Sequence, residues 1–226
     1  MHADYYLNTL YPLQDKILTI LTSVENRFYL TGGTALSRAY LHHRYSDDLD
    51  FFVNYDETYK EQVERIHNTI KESGLSVERA SMHDSFSRWF IHEKECSLKI
   101  DFVNDIGYRV GHVNKTSVFV RTDTMRNILS NKLTALGRLE AKDVVDIIYI
   151  ARNLSYNWKD IFNEAEQKDL WVNPVDTAAL LEQFPVEKID TIAWAVNKPD
   201  KPVIEKWLKT ILSDILKGDD NTLFKK

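Results

Sequence analysis

The stretch LTGGTALSRAYLHHRYSDDLDFFV, residues 30–53, sets the tightest limit on how this chain can fold. It carries two glycines at one end. At the other, Asp47, Asp48 and Asp50 stand directly against the apolar run Phe51-Phe52-Val53. A solvated turn can carry such acids, but a strand entering a core has to keep them apart from its apolar side chains. Residues two apart on a strand point the same way. Asp48 and Asp50 are therefore expected on one face, with Leu49 and Phe51 on the other. At the glycine end, Arg27-Phe28-Tyr29-Leu30 reads as a short strand that stops at Gly32-Gly33. Thr34 is placed to cap a following helix that carries Ala35, Leu36 and Ala39.

The remaining elements follow from periodicity. Leu13, Ile17, Ile20 and Leu21 fall on one helical face. After the acidic strand, Asp56 or Thr58 is placed to open a helix in which Tyr59, Val63, Ile66 and Ile70 recur at helical spacing, with Gly74 as its stop. LSVERA, SFSRWFIHE and CSLKIDFV read as three strands, and SVFVR as a fourth after Gly107 and Gly111. From Thr124 onward the pattern is helical, with Pro174, Pro185, Pro199 and Pro202 marking starts or breaks. The order suggests an α+β core followed by a helical C-terminal portion.

Composition narrows the class. The chain has 226 residues, 43% of them apolar and 28% charged, as in an ordinary globular protein with a sizeable core. No run approaches the roughly 18 apolar residues of a membrane span, and no basic segment followed by an apolar one opens the sequence. Cys96 is the single cysteine, which excludes an internal disulfide and a multi-thiolate zinc site and fits a cytoplasmic location. The formal charge of -5 argues against a surface that is basic throughout. Residues 115–142 nevertheless carry six cations against Asp123 and Glu140, a net of four positive charges. They suit either a polyphosphate or RNA contact, or a solvated helix face.

The acids carry the chemistry. In SLKIDFV, Asp101 stands between Ile100 and Phe102 as Asp50 stands between Leu49 and Phe51. If the two strands pair, a third carboxylate joins Asp48 and Asp50. At an effective dielectric near 20, each like-charge pair about 4 Å apart costs roughly 4 kcal/mol. Such a cluster must take up protons or hold a cation, and Mg²⁺ or Mn²⁺ suits its oxygen ligands. Gly32 and Gly33 let the backbone approach a phosphate at a helix start, and Thr34 adds a hydroxyl. Arg44 and Ser46, just before the acids, are further phosphate candidates. The loop is neither a Walker loop nor a dinucleotide fingerprint.

Together, GGTALSRAYLHHRYSDDLDFF and the later NKLTALGRLEAKDVVDI, residues 131–147, resemble the AbiEii/AbiGii toxin family of the DNA polymerase β-like nucleotidyltransferase superfamily. The resemblance spans about residues 13–152. It implies a mixed sheet flanked by helices, as an α/β nucleotidyltransferase core over residues 1–122. A helical domain over residues 123–226 would complete the active-site cleft. It implies that Asp48 and Asp50 bind metal, that Gly33 and Thr34 contact the triphosphate, and that Lys132 stabilises phosphate charge. Asp143 or Asp146 would organise that lysine or the acceptor. An NTP would be the substrate, tRNA or a protein the acceptor, and an antitoxin protein the partner, with no membrane involved.

Other readings stand beside these. The protein could be a nucleotide-binding module without turnover, or a transferase acting on a small polycationic molecule of the aminoglycoside type, which its acidity suits. Asp143 and Asp146 could instead pair with Arg138 and Lys142 on neighbouring turns. His42 and His43 are adjacent and point apart, so they read as surface or packing residues. Cys96 and the five tryptophans read as core.

Overall fold

The computed structural model describes residues 2–224. The chain divides into two compact units: Met1–Ala39 with Tyr45–Thr124, and Tyr40–Arg44 with Met125–Lys226. The fold is α+β, with a five-stranded mixed sheet, flanking helices and C-terminal helices.

In the first unit the strands are β1 (Tyr29–Thr31), β2 (Leu49–Asn54), β3 (Ser76–Met82), β4 (Phe86–Glu93) and β5 (Cys96–Asp105). They lie in the order β1-β2-β5-β4-β3. Only β2 and β5 run parallel; the other pairs are antiparallel. β2 alternates as its sequence requires: Leu49, Phe51 and Val53 are buried, while Asp50, Phe52 and Asn54 are half-buried. The buried face continues through Leu98, Ile100 and Phe102 of β5 and through Trp89 and Ile91 of β4. Phe102 packs at 4.6 Å from Trp89, 5.0 Å from Phe28 and 5.5 Å from Phe51 between ring centroids. Two helices complete this core. α2 (Tyr11–Ser23), which follows the short α1 (His2–Tyr5) and a π-helical turn, buries Leu13, Ile17, Leu18 and Leu21. Ile20 is only half-buried, and Leu18 takes the place expected for it. α4 (Tyr59–Glu72) buries Tyr59, Val63, Ile66 and Ile70. Gly74 follows it at φ +83°, the left-handed backbone that ends a helix at low steric cost.

Two expectations for this unit change. SVFVR is not a strand. Arg121 and Asp123 bond the backbone of Leu30 instead, through Leu30 N–H to the Arg121 carbonyl and Asp123 N–H to the Leu30 carbonyl, both at 2.8 Å. With β1 only three residues long, that single bridge takes up its outer edge, and Phe119 turns inward onto Phe51. Thr34 is not a cap either. Gly32, at φ +67°, turns the chain from strand directly into α3 (Gly32–Thr34), so Thr31 stands at the N-cap position. The helix continues as a π-helix, Ala35–Leu41.

The second unit is built from α5 (Met125–Ala135), α6 (Ala141–Asn153), α7 (Trp158–Glu166), α8 (Pro174–Glu182) and α9 (Lys201–Lys217). α6 is central, with every residue from Asp143 to Ala151 buried. Pro174 and Pro202 lie in the first turns of α8 and α9, where a missing N–H costs nothing. The segment Tyr40–Arg44 joins this unit through an antiparallel bridge between Arg44 and Trp194. Trp89 and Trp158 are fully buried, whereas Trp171 is 87% exposed in the turn between α7 and α8. Its backbone N–H bonds the Asp169 carboxylate there. Among the described residues no helix is long and apolar enough to cross a membrane.

Candidate functional site

The parallel pairing of β2 with β5 sets Asp50 directly beside Asp101, and Thr31 lies opposite Asp50 on β1. Asp48 precedes β2 by one residue, and its carbonyl accepts a hydrogen bond from the Thr34 hydroxyl. Gly32 lies so close to Asp50 that a Cβ added there would run into the Asp50 carboxylate. The Gly-Gly-Thr turn and the acidic strand therefore form one structure, tied at Thr34–Asp48 and packed at Gly32–Asp50. Residues before the acids are fixed in the same unit. Gln14 donates to the Ser46 carbonyl at 3.0 Å and to the Asp47 carbonyl at 3.3 Å. The Tyr6 hydroxyl donates to Asp47 at 2.6 Å, with its ring stacked on Tyr45 at 4.4 Å. Ser46 is buried, and its N–H bonds the Tyr11 hydroxyl.

Two cations that sequence reading did not single out hold this acid cluster. Arg88 on β4, the register partner of Asp101, grips both Asp101 oxygens at 2.8 Å. Lys99 on β5 places its ammonium 2.7 Å from Asp48 Oδ2 and 4.0 Å from Asp101 Oδ2. The repulsion expected among the acids is thus offset from within the sheet. The alternation of SRWF and SLKID would have shown it, because Arg88, Lys99 and Asp101 share one face by period two.

The donor set meets a hard divalent ion only in part. Among the described residues no three carboxylate, imidazole or thiol groups are arranged to hold a metal ion. Arg88 occupies Asp101. Asp48, paired with Lys99, and Asp50 supply two further carboxylates, and Mg²⁺ commonly takes one or two together with substrate phosphates. Those two residues fit such an ion in kind and number.

In the second unit the residues Lys132, Asp143 and Asp146 do come together. Lys132 donates to Asp143 Oδ1 at 2.6 Å and lies 2.8 Å from Asp146 Oδ2. Arg44 meets Asp146 with Nε and Nη2, both at 2.7 Å. His43 Nε2 is 2.9 Å from Asp146 Oδ1, and because a carboxylate only accepts, Nε2 carries the proton. The His43 ring stacks on Tyr149 at 4.6 Å. Asp143 also meets Arg138 at 3.4 Å, whereas Lys142 points to solvent as an exposed side chain. Burial favours a neutral Asp146, but Arg44, Lys132 and the His43 bond outweigh it and hold its carboxyl well below the usual range. Burial also disfavours the Lys132 ammonium, yet Asp146 and Asp143 hold its pKa above the ordinary lysine value. For His43 burial wins over the Asp146 bond, and the imidazole stays below its ordinary value, neutral. His43, read from sequence as surface or packing, is a full member of this network.

Half of the cations in the positive stretch at residues 115–142 are engaged internally. Arg121 bonds the Phe28 carbonyl, Arg126 pairs with Glu164, and Lys132 is buried. Lys115, Arg138 and Lys142 remain exposed.

Comparison with solved structures gives folds of the same kind. JHP933 from Helicobacter pylori superposes with a TM-score of 0.57 at 20% identity, over 91% of this chain and 90% of that one. The nucleotidyltransferase toxin MenT4 of Mycobacterium tuberculosis superposes with a TM-score of 0.57 at 16% identity, over 92% of this chain and 82% of that one. Comparison with curated protein sequences gave no match. The sequence profile of the nucleotidyl transferase AbiEii toxin, of type IV toxin–antitoxin systems, matches residues 17–200. With that match over most of its length, the chain belongs to the AbiEii family of nucleotidyltransferase toxins.

Proposed function

We propose that the protein transfers a nucleoside monophosphate from an NTP to an acceptor hydroxyl, with Asp48 and Asp50 holding a divalent ion, Mg²⁺ or Mn²⁺. The acceptor oxygen attacks the α-phosphorus, the bond from that phosphorus to the bridging oxygen breaks, pyrophosphate leaves, and the hydroxyl proton passes to solvent. One observation carries this reading: Gly32 of the strand-to-helix turn abuts the Asp50 carboxylate, so phosphate-approach loop and acid pair are a single unit. When bound, the ion would offset charge on the reacting phosphates. Gly33 would let the backbone approach the triphosphate. Arg44 and Lys132, both held by Asp146, are the fixed cations assigned to growing phosphate charge. Asp143 and Asp146 then act as positioning residues rather than proton acceptors, because each is tied to cations and buried. Thr34 and Ser46 serve the backbone frame.

Family membership implies an NTP substrate and a cognate antitoxin. A hydroxyl on tRNA is the acceptor we favour, with a protein hydroxyl second. The test supplies each α-³²P NTP with Mg²⁺ and separated RNA, protein and small-molecule fractions. Label in RNA with release of pyrophosphate, lost in Asp48→Asn, is the expected result. Label in the protein or small-molecule fraction reassigns the acceptor. Consumption of no NTP with any fraction overturns the enzyme reading of this site.

A further inference from the structure

We propose that Lys99 is a placeholder cation: it neutralises Asp48 until a divalent ion binds, and that ion must displace it. The proposal rests on the reading of Asp48 and Asp50 as the metal-binding pair and adds a residue to it. Lys99 lies two residues before Asp101 on β5, so both side chains rise from the same sheet face. Its ammonium bonds Asp48 at 2.7 Å and stands 4.0 Å from Asp101. Arg88 already takes both Asp101 oxygens, so Asp48 is the principal partner of Lys99.

The burial of the pair decides its role. The Lys99 and Asp48 side chains are 27% and 25% exposed, so water reaches both when they part. A buried pair such as Lys132 with Asp146, at 9% and 0%, would strand bare charges if opened. Lysine also suits an exchangeable counter-ion: a compact charge on a flexible four-carbon stem, able to leave without unlocking a bidentate fork. Arg88 on Asp101 has that fork and is the fixed member. Displaced from Asp48, the ammonium stays tethered at the same sheet face, available to an anionic phosphate that arrives with the metal. Metal and nucleotide binding are thereby coupled through one side chain.

The test measures Mn²⁺ binding by calorimetry, without nucleotide and without turnover. Lys99→Met and Lys99→Gln remove the competing charge and are expected to tighten Mn²⁺ binding about threefold to fivefold, the range of a part-exposed ion pair. Lys99→Arg keeps the charge and is expected not to tighten it. Asp48→Asn is expected to remove binding in either background. Unchanged or weaker Mn²⁺ affinity in both neutral variants, with binding still lost in Asp48→Asn, overturns the placeholder role alone. Undiminished binding in Asp48→Asn overturns the metal-site reading beneath it.

Discussion

The acid cluster on the sheet and the buried network around α6 are made of the same materials, aspartates with lysine and arginine, and behave as opposites. On the sheet, Asp48 and Lys99 are each about one-quarter exposed, and one ion pair joins them. Around α6, Asp146 has no exposure and receives Arg44, Lys132 and His43 at once. A carboxylate with one wet partner can exchange it. A carboxylate with three dry partners cannot, and instead fixes the geometry of the cations it holds. Acids and bases of one composition thus divide by solvent access into exchangeable groups and framing groups.

Substitution of Asp146 is expected to give the largest effect on stability. Asp146→Ala removes the buried carboxylate that Arg44 and Lys132 share, which costs about 3–5 kcal/mol. Urea unfolding measures it. A variant that unfolds at the wild-type midpoint yet is inactive would make Asp146 a reacting group and erase the contrast. For Asp48→Asn the effect is expected on rate, a loss of about 10²–10³-fold or more in pyrophosphate release. Its stability should fall by less than about 1 kcal/mol, since only a part-exposed pair with Lys99 is lost. A large drop in melting temperature without metal would place Asp48 among the framing groups instead.

Gly32→Ala tests the joint between loop and acid. The added Cβ meets both the left-handed backbone and the Asp50 carboxylate. A loss of roughly 1–2 kcal/mol and weaker nucleotide binding are expected. Gly74→Ala, left-handed but with open space around the Cβ, serves as the control, paying only the backbone strain. Equal losses in stability and nucleotide affinity for the two variants would dissolve the joint.

The smallest effect is that of pH. Because the folded state holds His43 below its ordinary value of about 6.5, the unfolded chain binds the extra proton as pH falls below that value. Stability is therefore complete above it and declines through pH 6 and lower. Asp146, also depressed, adds a second decline below its ordinary value near 4. His43→Gln should flatten the first decline and leave the second, as followed by unfolding at about pH 7.5, 5.5 and 3.5. An unchanged profile would remove His43 from the network's energetics.

Much of this was legible in sequence where one period governs. The alternation of Leu49, Asp50 and Phe51 fixed a strand with an acidic face, and Tyr59, Val63, Ile66 and Ile70 fixed a helix and its buried side. The same period in SRWF and SLKID puts Arg88 and Lys99 on the face of the sheet that carries Asp101. What no local pattern contained was partnership at long range. His43 and Arg44 meet Asp146 across 103 and 102 positions, and only the assembled helices bring them together. Gly32 was readable as a turn residue, but the carboxylate against it lies on another strand. SVFVR has every mark of a strand, and its fate was decided by the shortness of β1.

The five residues Tyr40–Arg44 give the chain a particular order of assembly. They emerge early, yet belong with a unit whose other residues begin at Met125. At the usual ribosomal pace of about 5–20 residues per second, Arg44 waits roughly 5–20 s for Asp146 to be made. During that interval the guanidinium is hydrated and its segment has no home. The first unit is therefore interrupted by a stretch that must remain uncommitted during synthesis, and a chain cut after Thr124 lacks the carboxylate that anchors it. A fragment beginning at Met125 is equally deprived, since Asp146 then lacks two of its three partners. The two units are inseparable by any single cut.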